Sequence, residues 1–342
     1  MTSKKIFSWL AAAVICSLIP AGCAPRPEGP GITGVEPGEL PGEVVTLALK
    51  FTPQDSTTYR VITEEKRSVK FEGDLAKEPT LKGGQTGNRA EMTFTRQIES
   101  IDDKGKAVAK ITIKGVKYLA KVKDNTVLDF DSSRAGDQNK PLAKLIGQSY
   151  TIGITPAGQV TEVIDVEQAQ AAVSGGTLGA TTASALLRPD AIKQRHTILA
   201  LAAADKNQLR TGDNWSSIKN FSFGLMGAKS YEKIYTLKEV KDIDGRRIAI
   251  VEMNAIPTSA AAEQLNQEEA VNALSQIFGS GETYTYTGQL KLDLTEGKVE
   301  KYLEELQLEW LMMDPSAKQT GDKEPDALKM TAIRLHSLEK ID

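Results

Sequence analysis

Residues 92–101 (MTFTRQIESI), the corner Asp102-Asp103-Lys104-Gly105 and residues 107–114 (AVAKITIK) read as two strands hinged on an acidic, glycine-ended turn. Ala107, Ala109, Ile111 and Ile113 fall on one side with other residues between them. Period-two alternation flanking an Asp/Gly turn predicts an antiparallel hairpin with one buried face. The pattern recurs downstream: residues 231–240 (YEKIYTLKEV), a turn through Asp244-Gly245, and residues 247–254 (RIAIVEMN), with Ala249, Val251 and Met253 on the matching face. A second hairpin follows each copy, 150–163 (YTIGITPAGQVTEV) cornered at Gly158 and 290–302 (LKLDLTEGKVEKY) cornered at Gly297. Gly105 and Gly158 are 53 residues apart, and Gly245 and Gly297 are 52 apart. Two hairpins in the same order at nearly the same separation predict a duplicated unit, a β-rich repeat 1 over 43–165 and a β-rich repeat 2 over 209–342. The openings of the copies agree less well, sharing only a turn followed by an aromatic, Tyr59 in one and Trp215 in the other.

Helix signals fall elsewhere. Residues 142–146 predict a short helix. Pro189 in a first turn, followed by Asp190, predicts a helix through about Ala204 with Ile192, Leu199 and Ala203 on one face. Residues 263–278 predict another, with Val271, Leu274 and Phe278 helically spaced and Gly279 as its cap. Segment 166–208 reads as a helical connector in which Gly175, Gly176 and Gly179 form a flexible link. The expected class is therefore α+β and mainly antiparallel β, with two tandem related curved-sheet, half-barrel-like domains and a helical connector.

The amino terminus carries an address. Lys4 and Lys5 precede an apolar run, 6–19, that closes on Pro20-Ala21-Gly22-Cys23. The run is shorter than the roughly 20 apolar residues that span a bilayer, and small residues follow it, which favours cleavage. It resembles the type II signal peptide of bacterial lipoproteins, in which Cys23 becomes the acylated first residue. Pro20 stands where that family usually has an aliphatic residue. The resemblance implies a signal peptide over 1–22, a lipidated (palmitate-type) Cys23 and a Pro/Gly tether over 23–42. It places the protein in the bacterial cell envelope, lipid-anchored, at the outer membrane facing the periplasm. The chain has 2 cysteines, and Cys16 would leave with the signal. Cys23 then remains alone and no internal disulfide can form.

The chain has 342 residues, 40% hydrophobic and 25% charged, which suits a globular body with a sizeable core. Net charge is −3, with lysines and acids interspersed and no basic stripe, so nucleic acid is not an expected partner. Thr211-Gly212-Asp213-Asn214-Trp215, the Asp244-Gly245 and Glu296-Gly297 corners and the strand ending Asp129-Phe130-Asp131-Ser132-Ser133 carry a further likeness. Behind a lipoprotein signal, this hairpin-rich body resembles an uncharacterised family of duplicated envelope lipoproteins from planctomycete-like and Bacteroidetes-like bacteria. That family implies no activity.

No catalytic or metal-binding set assembles from the residues. Asp129 and Asp131 resemble the nucleophile and acid of haloacid dehalogenase phosphatases over that strand only, and the antiparallel flanks contradict the parallel sheet which that chemistry uses. Counted as a calcium loop from Asp129, position six is Arg134 and position twelve is Lys140, where Gly and Glu are needed. His196 shares a helix face with Ile192 and Leu199 and reads as a core histidine; His336 alternates with Arg334 in a terminal strand. Two histidines and one thiol cannot build a standard zinc site. Aromatics concentrate in the second copy, as core packing or the lining of a cavity. Glu296, Glu300, Glu304, Glu305 and Glu309 read mostly as the wet face of one strand. The expected function is a non-catalytic envelope lipoprotein without cofactor, binding an envelope protein or cell-wall component. The alternatives are a carrier of a lipid or other hydrophobic ligand in a cavity between sheet and helices, and, weakest, a metal-dependent hydrolase.

Overall fold

The computed structural model describes residues 43–202, 208–223, 227–258, 279–313 and 326–341. Cys23, the tether and the helix expected over 263–278 lie outside the described residues. Residues 42–342 form one compact unit.

The first half lays down β1 (Ser56–Glu72), β2 (Gly84–Ile101), β3 (Ala107–Val122), β4 (Asn125–Asp131), β5 (Ser149–Ile154) and β6 (Val160–Ile164). Four helices follow: α1 (Glu167–Val173), α2 (Leu178–Leu186), α3 (Pro189–His196) and α4 (Leu199–Ala202). The second half supplies β7 (Asn214–Ser222), β8 (Ala228–Ile243), β9 (Arg246–Pro257), β10 (Gly279–Asp293), β11 (Lys298–Met313) and β12 (Ala327–Lys340). All twelve strands share one sheet in the order β6-β5-β3-β2-β1-β12-β11-β10-β9-β8-β7, with β4 pairing β3 off that path. Every pairing among them is antiparallel. The segments expected as two units are thus two meanders in one sheet, sewn together where β1 pairs β12 from Tyr59↔Lys340 to Glu72↔Ala327.

The predicted hairpins are β2–β3, β5–β6, β8–β9 and β10–β11, and their corner glycines all sit at positive φ. β5–β6 and β10–β11 each carry a register shift, which sets Thr161 three residues beyond Gly158 and Glu300 three residues beyond Gly297 as the extra residue. A bulge of this kind bends a strand and strengthens its twist.

The sheet is open at β6 and β7, yet its second half curves. In a flat sheet β7 would stand about 24 Å from β12, at roughly 4.8 Å per strand. Instead the Arg334 guanidinium of β12 lies 5.1 Å from the Phe221 ring centroid of β7, and Phe221 meets Tyr286 of β10 at 5.7 Å. The inward face that this curvature closes holds one continuous apolar cluster, running from Ile152 on β5 through Tyr59 and Tyr302 to Trp215 on β7.

The connector crosses that face. His196 packs edge-on against Phe94 of β2 at 4.7 Å, and Trp215 Nε1 donates to the Ala200 carbonyl at 2.8 Å. The helix expected from Pro189 to about Ala204 is broken after His196. Thr197 is extended, Ile198 N donates to the Gly158 carbonyl at 2.9 Å, and Val160 N donates to Thr197 Oγ1 at 3.2 Å. The β5–β6 corner has captured two residues of the helix. Two smaller expectations also change. The helix expected at 142–146 is a 3₁₀ turn, Pro141–Leu145. Gly179 belongs to α2 rather than to a flexible link: Thr177 caps that helix by accepting from Ala180 N, and Gly179 lies against Pro141.

Candidate functional site

Strand alternation brings two charged groups into the apolar face. On β11 the inward residues are Tyr302, Glu304, Leu306, Leu308 and Trp310; on β8 they are Tyr231, Lys233, Tyr235 and Leu237. Lys233 is 1% exposed and Glu304 7%. The curvature brings them together, Lys233 Nζ to Glu304 Oε1 at 2.9 Å. Tyr302 OH and Tyr235 OH (3.4 Å) also donate to Oε1, and Tyr286 OH donates to Oε2 at 3.2 Å. Glu304 therefore does not stand on the wet face expected for it.

The electrostatics follow from that packing. Burial pushes the Glu304 carboxyl up, but the Lys233 ammonium and the Tyr302 hydroxyl outweigh it and hold the group below its ordinary value. Burial pulls the Lys233 ammonium down against the pull of Glu304. The hydroxyls of Tyr235, Tyr286 and Tyr302 are driven up by burial and then by the neighbouring carboxylate, so they remain donors. Both Glu304 oxygens are engaged, and the pair acts as a polar pin across the curve of the sheet.

Beside this pin lies a cavity of about 250 Å³. Its roof is Leu186, Ala191, Gln194, Arg195 and Leu199 of the connector; its floor comes from β1, β2, β7, β10, β11 and β12. Each carboxylate in the wall has its own cation. Glu64 pairs with Arg89 at 2.7 Å, Glu65 with Arg334 at 2.9 Å and Arg67 at 3.1 Å, and Glu304 with Lys233. The converse does not hold. Among the described residues Arg195, 6% exposed, donates only to neutral acceptors, Leu186 O at 2.7 Å and Tyr150 OH at 3.3 Å. Lys219, on the inward face of β7, has no ion pair among the described residues. Arg334 and His336 reach the wall too, but Arg334 Nε and His336 Nε2 are themselves covered by protein, with no hydrogen-bond partner among the described residues.

The residues singled out from sequence separate cleanly. His196 is 4% exposed, its Nε2 2.8 Å from Tyr150 OH, and burial followed by Arg195 and Arg96 holds it well below its ordinary 6.5. It is a core histidine. His336 reaches the cavity wall beside Arg334. Asp129 is exposed and bound by Arg134 at 2.7 Å, while Asp131 accepts from Ser133 N at 2.9 Å and lies 3.6 Å from Lys117. Asp137, which no motif marked, anchors this corner through Lys140 at 2.5 Å and Arg134 at 2.6 Å. Its carboxyl is pulled down to about 2, first by Lys140, then by the Asp131 backbone N–H. Among the described residues no group of three or more His, Cys, Asp and Glu could hold a metal ion. Among them, too, no helix is long and apolar enough to cross a membrane. The aromatics serve both expected purposes: Tyr231, Tyr235 and Phe223 fill the core, and Phe221 and Tyr286 line the cavity. Arg195, Lys219, Lys233 and Glu304 were not recognised from sequence as a site. A charged residue at the inward parity of an apolar strand was the available signal for all but Arg195.

No family model matches the chain, and no curated protein matches it. Among solved structures it is similar to a lipovitellin described for its lipid–protein interactions, with a TM-score of 0.37 and 11% identity over 86% of this chain. The match spans only 26% of the lipovitellin chain. DynF, from the dynemicin biosynthesis pathway of Micromonospora chersina, is similar at TM-score 0.18 and 8% identity, covering 93% of each chain. OpdQ of Pseudomonas aeruginosa is similar at 0.14 and 9%, covering 83% of this chain and 99% of that one. Likenesses at these scores carry no argument about fold or function.

Proposed function

We propose that this chain is a non-catalytic binding protein of the bacterial cell envelope, held to a membrane by lipid on Cys23 and carrying a small ligand beneath its connector. The observation that carries the binding half is the 250 Å³ cavity, whose wall holds two cations, Arg195 and Lys219, without an ion pair among the described residues. A charge as buried as that of Arg195 is ordinarily paired, because desolvating it unpaired is costly. Drug-sized ligands occupy roughly 300–1,000 Å³, so the occupant is smaller than a whole lipid, and the carrier alternative narrows to a short-chain ligand. The hydrolase alternative finds no support at Asp129 and Asp131, whose carboxylates are engaged by Arg134, Ser133 and Lys117. The envelope half rests on Lys4, Lys5, the apolar run and Cys23. We also propose that the two meanders descend from one copied unit, which the matching bulges at Thr161 and Glu300 support.

The test is native mass spectrometry of the full chain extracted from its own envelope. The expected spectrum carries a diacylglyceryl mass on a chain that begins at Cys23, and a second, non-covalent mass of a few hundred daltons at most. A chain that retains residues before Cys23, or one stripped of any small molecule under gentle release, contradicts the corresponding half.

A further inference from the structure

The cavity's charge says what kind of ligand it takes. Its three carboxylates are neutralised within the protein, and Glu304 has both oxygens occupied by Lys233 and three phenols. Two cations are left over. The guanidinium of Arg195, buried with a carbonyl and a phenol as its acceptors, has no counter-ion among the described residues. Lys219, from the edge strand β7 where Arg195 comes from α3, adds a second charge with no ion pair among the described residues. Two surplus positive charges on one small space are the complement of an oxyanion. The rest of the wall is not built for a bare ion. Leu186, Leu199, Phe221, Leu306 and Leu335 line it too, and burying them against an inorganic anion would gain nothing.

Resting on the binding reading above, we propose that the ligand is a small organic anion, its oxyanion head between Arg195 and Lys219 and its short apolar body against Leu199, Phe221 and Leu306.

Isothermal titration calorimetry of the full-length chain in non-ionic detergent tests this with three probes: sodium hexanoate, hexan-1-ol and sodium phosphate. Hexanoate is expected to bind at one saturable site, and the alcohol and the inorganic anion at least about tenfold more weakly, since hydrogen bonds to a charged group and burial of the chain each exceed the ~1.4 kcal/mol that a factor of ten represents. Lys219→Gln is expected to weaken hexanoate about tenfold and leave hexan-1-ol unchanged. Arg195→Gln removes the more buried charge and risks the fold, so Lys219→Gln, on an edge strand, is the primary variant. Leu199→Trp, which fills the cavity, abolishes the heat from hexanoate. Equal affinity for hexanoate and hexan-1-ol overturns the anion inference and leaves the binding reading standing. Phosphate binding as tightly as hexanoate overturns the apolar body. Heat from none of the three, with a ligand of another class retained in the native spectrum, overturns this inference alone; heat from none and no retained ligand overturns both.

Discussion

Glu304 and Lys233 occupy inward positions that neighbouring residues of their strands give to Tyr302, Leu306, Tyr231 and Tyr235, and neither would survive there without the other. Removing one member of a buried pair strands the second charge, at a cost of about 3–5 kcal/mol. Lys233→Met should lower the urea midpoint accordingly. The exposed pair Lys229–Glu282, at 2.6 Å, is the control: Lys229→Met should cost about 0–1 kcal/mol. Similar losses from both would mean that Glu304 is not an isolated carboxylate. The histidines give a second residue-level test. Burial, then Arg195 and Arg96, holds His196 below 6.5. Burial also holds His336 down, against the raising effects of Glu304 and of a hydrogen bond to the Arg195 backbone. A depressed histidine costs nothing above 6.5. As pH falls through that value the unfolded chain takes a proton which the folded chain refuses, so stability declines from about pH 6.5 downward. Thermal melts between about pH 7.5 and 5 should show this slope, and because the chain has 2 histidines, His196→Gln should remove a large share of it. An unchanged slope would place a protonatable His196 in solvent. The parity that marks Glu304 and Lys233 as inward was legible in residues 302–310 (YLEELQLEW) and 231–237 (YEKIYTL) had charge been read strand by strand. Their meeting was not, because two strands, β9 and β10, lie between β8 and β11 and only the curvature brings the pair together.

The hairpins were legible because each is closed by residues adjacent in sequence: alternation sets the faces, and a glycine in the left-handed region sets the corner. What packs on those corners was not legible. Gly245 (φ 77) has open space where a Cβ would go, whereas at Gly297 (φ 66) a Cβ would collide with Lys50, whose N–H donates to the Gly297 carbonyl at 3.0 Å. Gly245→Ala should therefore cost only the left-handed backbone, about 1–2 kcal/mol. Gly297→Ala should cost about 1–3 kcal/mol more, because the segment around Lys50 must move off the β10–β11 corner. Chemical denaturation of the two variants side by side measures the difference, and equal losses would show that segment to be undocked in solution. The broken α3 teaches the same lesson from the other side. The Pro189 start was readable from local signals, but its end is set by the Gly158 carbonyl and Val160 N–H of a distant hairpin taking Ile198 and Thr197 as partners. Helical periodicity alone runs past that point.

The β1–β12 seam joins residues near the two ends of the described body, Tyr59 with Lys340 and Glu72 with Ala327, and no local pattern announces it. Its consequence is cooperativity. If each meander were a domain with its own core, the link between them would be an interface that could part while both stayed folded. Here the seam is a backbone ladder in the middle of the sheet, and the apolar cluster, the connector and the cavity all straddle it. Parting it would expose two long unpaired strand edges and the floor of the cavity together, so neither half has a stable state to retreat to. The full chain should therefore unfold in a single calorimetric transition, with calorimetric and van't Hoff enthalpies that agree. A chain ending after Met313, which lacks β12, should fail to give a cooperative melt, although it keeps every hairpin read from sequence. Two resolved transitions in the full chain, or a cooperative melt of the truncated one, would restore the meanders as independent domains and would leave the cavity as a cleft between them.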